Sequence, residues 1–113
     1  MLVSLITIFL AGFILTVLAI PLMRRKVKMN DWYGIRLPQT MDNENVWYEV
    51  NAKVGKFIFF FGLFICILTL LFYFYPPADE VMTVFILLAV LIVGTILIII
   101  IAINYSNKFS NQK

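Results

Sequence analysis

LIVGTILIIIIAI, residues 91–103, is dominated by β-branched side chains. In water such a run reads as a β-strand, because isoleucine and valine fit a pleated, half-buried surface. In a bilayer the same run reads as a helix. A lone strand there leaves its N–H and C=O groups unpaired where no water can reach them, whereas a helix satisfies them within the segment. The solvent decides the reading, and the rest of the chain identifies the solvent.

Hydrophobic residues make up 63% of the 113 residues, and only 13% are charged. The mean hydropathy is +0.99. A soluble domain carries about a quarter charged residues, enough to wet its surface. This chain cannot do that, so its expected surroundings are lipid. Two further runs, about 2–23 and 57–75, resemble the third at 81–103 in being apolar and free of charged side chains. Each reaches the roughly 20 residues that cross a ~30 Å hydrocarbon core at 1.5 Å rise per residue. The expectation is a single all-α membrane domain with three transmembrane helices, at about 2–23, 57–75 and 81–103.

The charges orient it. Seven of the nine Lys and Arg residues fall between Arg24 and Lys56, and the other two are Lys108 and Lys113. Basic residues collect on the cytoplasmic side. The island 24–56 and the tail 104–113 are therefore expected inside. The turn 76–80, with Asp79 and Glu80, is expected outside, giving an N-out, C-in topology. The first run lacks a basic segment before it and exceeds the apolar core of a signal peptide, so it is expected to be retained. Tyr73 and Tyr75 fall at the outer aromatic belt and Tyr105 near the inner one. Pro76 and Pro77 end the second helix, and Asp79 is placed to cap the third. So short a connection makes these two helices antiparallel neighbours. Gly12, Gly55, Gly62 and Gly94 stand singly, as at close helix contacts, and form no GxxxG pair.

Composition also restricts chemistry. There is no histidine and one cysteine, Cys66. This removes the commonest general base and metal ligand, any intramolecular disulfide and any thiol cluster. Asp31, Asp42, Glu44 and Glu49 are scattered through a basic loop without the convergence of a paired-carboxylate or metal site. Neither catalysis nor a cofactor is expected. No ionisable residue within a span marks a proton or ion path. The hydroxyls of the spans, such as Thr7, Thr16, Thr69, Thr83 and Thr95, are expected to bond back to their own helices. Homo-oligomers, passive pores included, stay open. Inner-leaflet phospholipid is a nearer anion for the basic loop than nucleic acid.

NDWYGIRLPQTMDNENVWYEVNAKVGK, residues 30–56, is the polar island. Residues 24–43 carry turn chemistry: Asn30-Asp31, Gly34, Pro38 and Asp42-Asn43. Residues 44–56 carry helical periodicity, with Val46, Val50, Val54 and Phe57 at spacings of three and four. Thr40, Asp42 or Asn43 can cap that helix, and Glu44 suits its first turn. Trp47, Asn51 and Gly55 follow at four-residue steps and share a second face. The helix lies at the inner surface or runs straight into the second span. Two readings of its face stand side by side. In one it is an interfacial helix, with Trp47 and Tyr48 at headgroup depth and Lys53 and Lys56 on anionic lipid. In the other it is part of a constructed site, in which Gly34 allows close backbone approach, Arg36 sits in a turn before Leu37-Pro38, and Asn51 offers donor and acceptor. The second explains why GIRLPQT precedes the helix.

The order Gly34-Ile35-Arg36-x-Pro38-x-Thr40, then Trp47, Asn51 and Gly55, then two spans, resembles the SdpI-like bacterial membrane proteins. The resemblance covers roughly residues 20–105. Larger members carry extra N-terminal helices, and this chain is similar to the minimal three-helix form. The resemblance implies a multi-pass protein of the bacterial cell membrane that protects against a secreted, membrane-active toxic peptide. It also implies an alternative, a membrane scaffold or signalling protein that recruits a cytoplasmic partner such as a transcriptional repressor. The toxin would be met between the second and third helices and at the outer rim, near Tyr73 to Glu80. A cytoplasmic partner would be met at Arg36, Trp47 and Asn51.

Overall fold

The computed structural model describes residues 2–110; the expected tail residues 111–113, with Lys113, lie outside them. All regular structure among the described residues is helical: α1 (Leu2–Met23), α2 (Pro38–Asp42), α3 (Glu44–Phe74) and α4 (Glu80–Ser110). α1, α3 and α4 are each long and apolar enough to cross a membrane. The β-branched run 91–103 lies wholly within α4.

Two helices are longer than their apolar runs. The amphipathic stretch 44–56 does not bend along a surface but continues without a break into the span, making α3 one helix of 31 residues. At 1.5 Å per residue it is about 46 Å long, well beyond the hydrocarbon core. The expected tail, from residue 104 to Ser110, is likewise helical, so α4 also has 31 residues. The cause is packing. Tyr105 and Phe109 rest against a core of Val46, Val50, Val54 and Ala102, which holds the last turns of α4 to the first turns of α3. Phe57, fourth in the periodic series with those valines, points outward and is 41% exposed.

The helix ends are set by local chemistry. α1 closes in a Schellman motif: Lys26 N–H donates to the Pro21 carbonyl at 3.0 Å and Arg25 N–H to Leu22 at 3.2 Å. Arg25 holds the left-handed position with φ 59°, a conformation that glycine adopts at lower cost. Of the three capping candidates before α3, Asn43 acts, its Oδ1 accepting from Asn45 N–H at 2.9 Å. Asp79 caps α4 as expected, accepting from Met82 N–H at 2.9 Å. Four span hydroxyls, those of Thr7, Thr16, Thr69 and Thr95, donate to carbonyls one turn back in their own helices.

α1 lies along α3 in the most extensive helix contact, and α4 packs against α3 and also touches α1. The α1–α3 crossing depends on Gly12 and Gly62. A Cβ on Gly62 would lie 2.6 Å from the Gly12 carbonyl oxygen and would collide with the Thr16 hydroxyl. Here the two backbones touch, which only small residues permit. Toward the 76–80 turn the core consists of Leu5, Ile8, Ile65 and Leu87. Most remaining large apolar side chains point outward, including Phe60, Ile67, Ile92 and Val93. On three helices of this length, that surface belongs to lipid, and the chain is a multi-pass membrane protein.

Candidate functional site

The segment between α1 and α3 folds back onto the protruding turns of α3. Its first fixed point is Asn30, whose Oδ1 accepts from the N–H groups of Trp32 at 2.9 Å and Tyr33 at 2.7 Å. Its Nδ2 donates to the Lys28 carbonyl at 2.7 Å. This is an Asx-type turn, in which an asparagine side chain imitates backbone. Tyr33 then reaches back to α1 and donates its hydroxyl to the Leu18 carbonyl. Burial holds the Tyr33 phenol above its ordinary pKa.

The face that carries Trp47, Asn51 and Gly55 receives this segment. All three are buried, and each holds a different piece of chain. Gly55 admits the end of α1, since a Cβ there would stand 3.2 Å from Leu22 and 3.3 Å from Met23. Trp47, fully buried, donates its indole N–H to the Val27 carbonyl at 2.8 Å. Asn51, 2% exposed, accepts from Ile35 N–H at 2.6 Å and donates to the Trp47 carbonyl at 2.9 Å. Its Nδ2 also faces the Ile35 carbonyl at 3.5 Å. The amide therefore clamps both backbone groups of residue 35. Leaving one of them buried and unpaired costs about 1–3 kcal/mol.

Gly34 fits between these two side chains. Its φ is +108°, a conformation L-residues rarely adopt, and a Cβ would lie 2.8 Å from Asn51 Oδ1 and 3.0 Å from the Trp47 ring. Pro38 starts α2 at its first position, where its missing N–H costs nothing. Thr40, fully buried, accepts from Leu37 N–H at 2.8 Å and lies 2.9 Å from the carbonyls of Ile35 and Leu37, positioned to donate. Gln39 ties α2 to α4 by donating to Asn107 at 2.6 Å.

Gly34, Ile35, Thr40, Trp47, Asn51 and Gly55 thus form one packed clamp. Arg36 and Pro38 lie on its exposed edge. The Arg36 guanidinium donates to the Asp31 carbonyl. This arrangement changes the roles expected of several side chains. Trp47 is sealed inside and holds Val27, so it does not anchor at headgroup depth. Of the three residues expected at a partner contact, only Arg36 is available to one, because Trp47 and Asn51 are spent on the clamp. The exposed indole is Trp32, 87% accessible, which spacing alone did not single out. The Arg25–Glu49 pair, at 2.8 Å, was also unforeseen. Both its side chains are largely in solvent, and such pairs contribute little.

The clamp can hold backbone and present an edge. Among the described residues, no three His, Cys, Asp or Glu side chains are grouped to bind a metal. The SdpI/YfhL protein family matches over residues 26–103, which takes in the whole clamp, α3 and most of α4. No curated protein and no solved structure gives a match.

Proposed function

The chain belongs to the SdpI/YfhL family, and from that premise we propose that it protects a bacterial cell against a secreted, membrane-active toxic peptide. The family match over residues 26–103 is the observation that carries this reading. The side-chain chemistry supports a binding role. The chain has no histidine, and the hydrogen-bonding side chains of the clamp are engaged with backbone.

A toxin entering from outside meets the lipid-facing surface first. An apolar peptide gains little from apolar contact alone, because lipid is equally apolar. Its recognition rests on shape, so a preformed recess is the feature to look for. One such recess, of about 420 Å³, lies between α3 and α4 and is lined by Phe61, Phe64, Ala89, Val93, Gly94 and Leu97. It lies on the face between the second and third spans, near the middle of both helices, and is open to the surrounding lipid. A toxin helix seated there would be sequestered from others of its kind and could not assemble a lesion.

The experiment is expression in a strain that the peptide kills. Survival should rise, and it should fall back when Ala89→Phe, at an exposed position on the lining, fills the recess. Undiminished killing with the protein confirmed in the membrane refutes immunity. Full protection by a correctly inserted A89F protein removes the recess from the mechanism.

A further inference from the structure

Where residues 34–37 pass α4 they leave a second groove, of about 230 Å³. One wall is this turn segment. The other is the last apolar stretch of α4, with Ile98, Ile99 and Ile103. Asn104 follows immediately, so the groove opens at the level where the apolar span gives way to polar chain. It lies at the basic end of the molecule, the end that bears residues 24–56.

Arg36 forms part of the lining. Its side chain is exposed and its one partner among the described residues is the Asp31 carbonyl. Arginine carries five N–H donors, so most of this guanidinium remains free to bind an anion. Arg25 differs, because its guanidinium is already paired with the Glu49 carboxylate at 2.8 Å. The groove thus has a cationic mouth and an apolar wall, one beside the other.

We propose that this groove seats an anionic phospholipid from the leaflet on the basic side. The phosphate rests on the Arg36 guanidinium, and one acyl chain lies along Ile98, Ile99 and Ile103. Guanidinium matches phosphate in both charge and planar donor geometry. The isoleucine wall rises about 8 Å along the helix, room for the upper part of one chain. The two features select the occupant together. A soluble phosphate gains nothing from the isoleucines. A zwitterionic lipid fits the wall but brings its own cation to the mouth. The clamp supplies the rigidity, because Gly34 and Ile35, the two residues before Arg36, are fixed by Trp47 and Asn51. The site is independent of whether the chain confers immunity.

The test uses the full-length protein in phosphatidylcholine vesicles doped with spin-labelled phosphatidylglycerol or spin-labelled phosphatidylcholine. The motionally restricted fraction of each label is read by electron paramagnetic resonance. Phosphatidylglycerol should be preferred about fivefold, the effect of one basic side chain near an anionic surface. Arg36→Gln should bring the ratio close to one, and Arg36→Lys should retain most of the preference. Ile99→Trp, at a half-exposed position on the apolar wall, should lower it with Arg36 intact. The double variant Lys53→Ala, Lys56→Ala should leave it largely in place. The proposal is overturned if R36Q keeps the preference, or if the double lysine variant abolishes it as completely, which marks diffuse attraction. It is also overturned if inorganic phosphate displaces the lipid, or if I99W has no effect.

Discussion

Replacing Asn51 by leucine tests the clamp directly. Leucine has the same number of side-chain heavy atoms and keeps the helix, but it takes away the acceptor for Ile35 N–H, now bonded at 2.6 Å, and the donor to Trp47. The Trp47 carbonyl keeps its own helical partner. Ile35 N–H has no other acceptor among the described residues, and the carboxamide that served it is 2% exposed. The loss is that of one buried, unsatisfied donor, about 1–3 kcal/mol. Spread over the whole molecule this would be hard to see, because the spans are held by lipid and by the α1–α3 contact. It should instead appear locally, as opening of residues 30–37. Hydrogen exchange at the Ile35 amide should therefore accelerate about 5- to 150-fold, with little change for amides in the middle of α3. Protease cleavage at Arg36, followed in vesicles that expose the basic face, should speed up in parallel. An Ile35 amide as protected in N51L as in the wild type would refute the clamp, and uniform loosening of α3 would show that Asn51 supports the helix instead.

Gly34→Ala should release the same segment, because φ is +108° and the added Cβ meets Asn51 and the Trp47 ring; a cost above ~1 kcal/mol is expected, read by the same exchange assay. Gly62→Ala should force α1 from α3, since its Cβ would meet the Gly12 carbonyl at 2.6 Å. Overpacking of this kind costs about 1–3 kcal/mol, and an unchanged melting temperature in micelles would contradict it. Tyr33 supplies a pH test. Its folded pKa is raised above 10.0 by burial, so its contribution is complete below pH 10.0 and is lost as pH rises through the folded value. The difference in segment protection between wild type and Tyr33→Phe should shrink accordingly, and a difference constant with pH would count against the Tyr33–Leu18 bond.

Much of the architecture follows from features that survive without tertiary information. A span announces itself by length and by the absence of charge, and the capping carboxylate of Asp79 by its place after two prolines. The four-residue steps of Trp47, Asn51 and Gly55 placed these side chains on one face, and that face is buried. The pattern could not say what would cover it. The Val27 and Ile35 carbonyls carry no mark in a sequence, because every residue has one. The same limit hid the left-handed Arg25, at a position where glycine is the usual signal. The helical tail was missed for a different reason. Asn104, Ser106 and Asn107 lower the hydropathy, yet no proline or glycine breaks the chain there, so contacts with the start of α3 were free to extend α4. Composition ended the span correctly but could not end the helix.

α3 has one further property. Asn51 and Thr69 are 18 residues apart, five turns of a helix, so they lie in line about 27 Å from each other. No proline interrupts the rod between Glu44 and Phe74. Its two glycines, Gly55 and Gly62, are both packed closely against α1, so neither is a free joint. Were Thr69 twisted about the rod axis by an event in one leaflet, Asn51 would sweep through the same angle beyond the other. The amide would then pull away from Ile35, unlatching residues 30–37 without any signal passing through the lipid between.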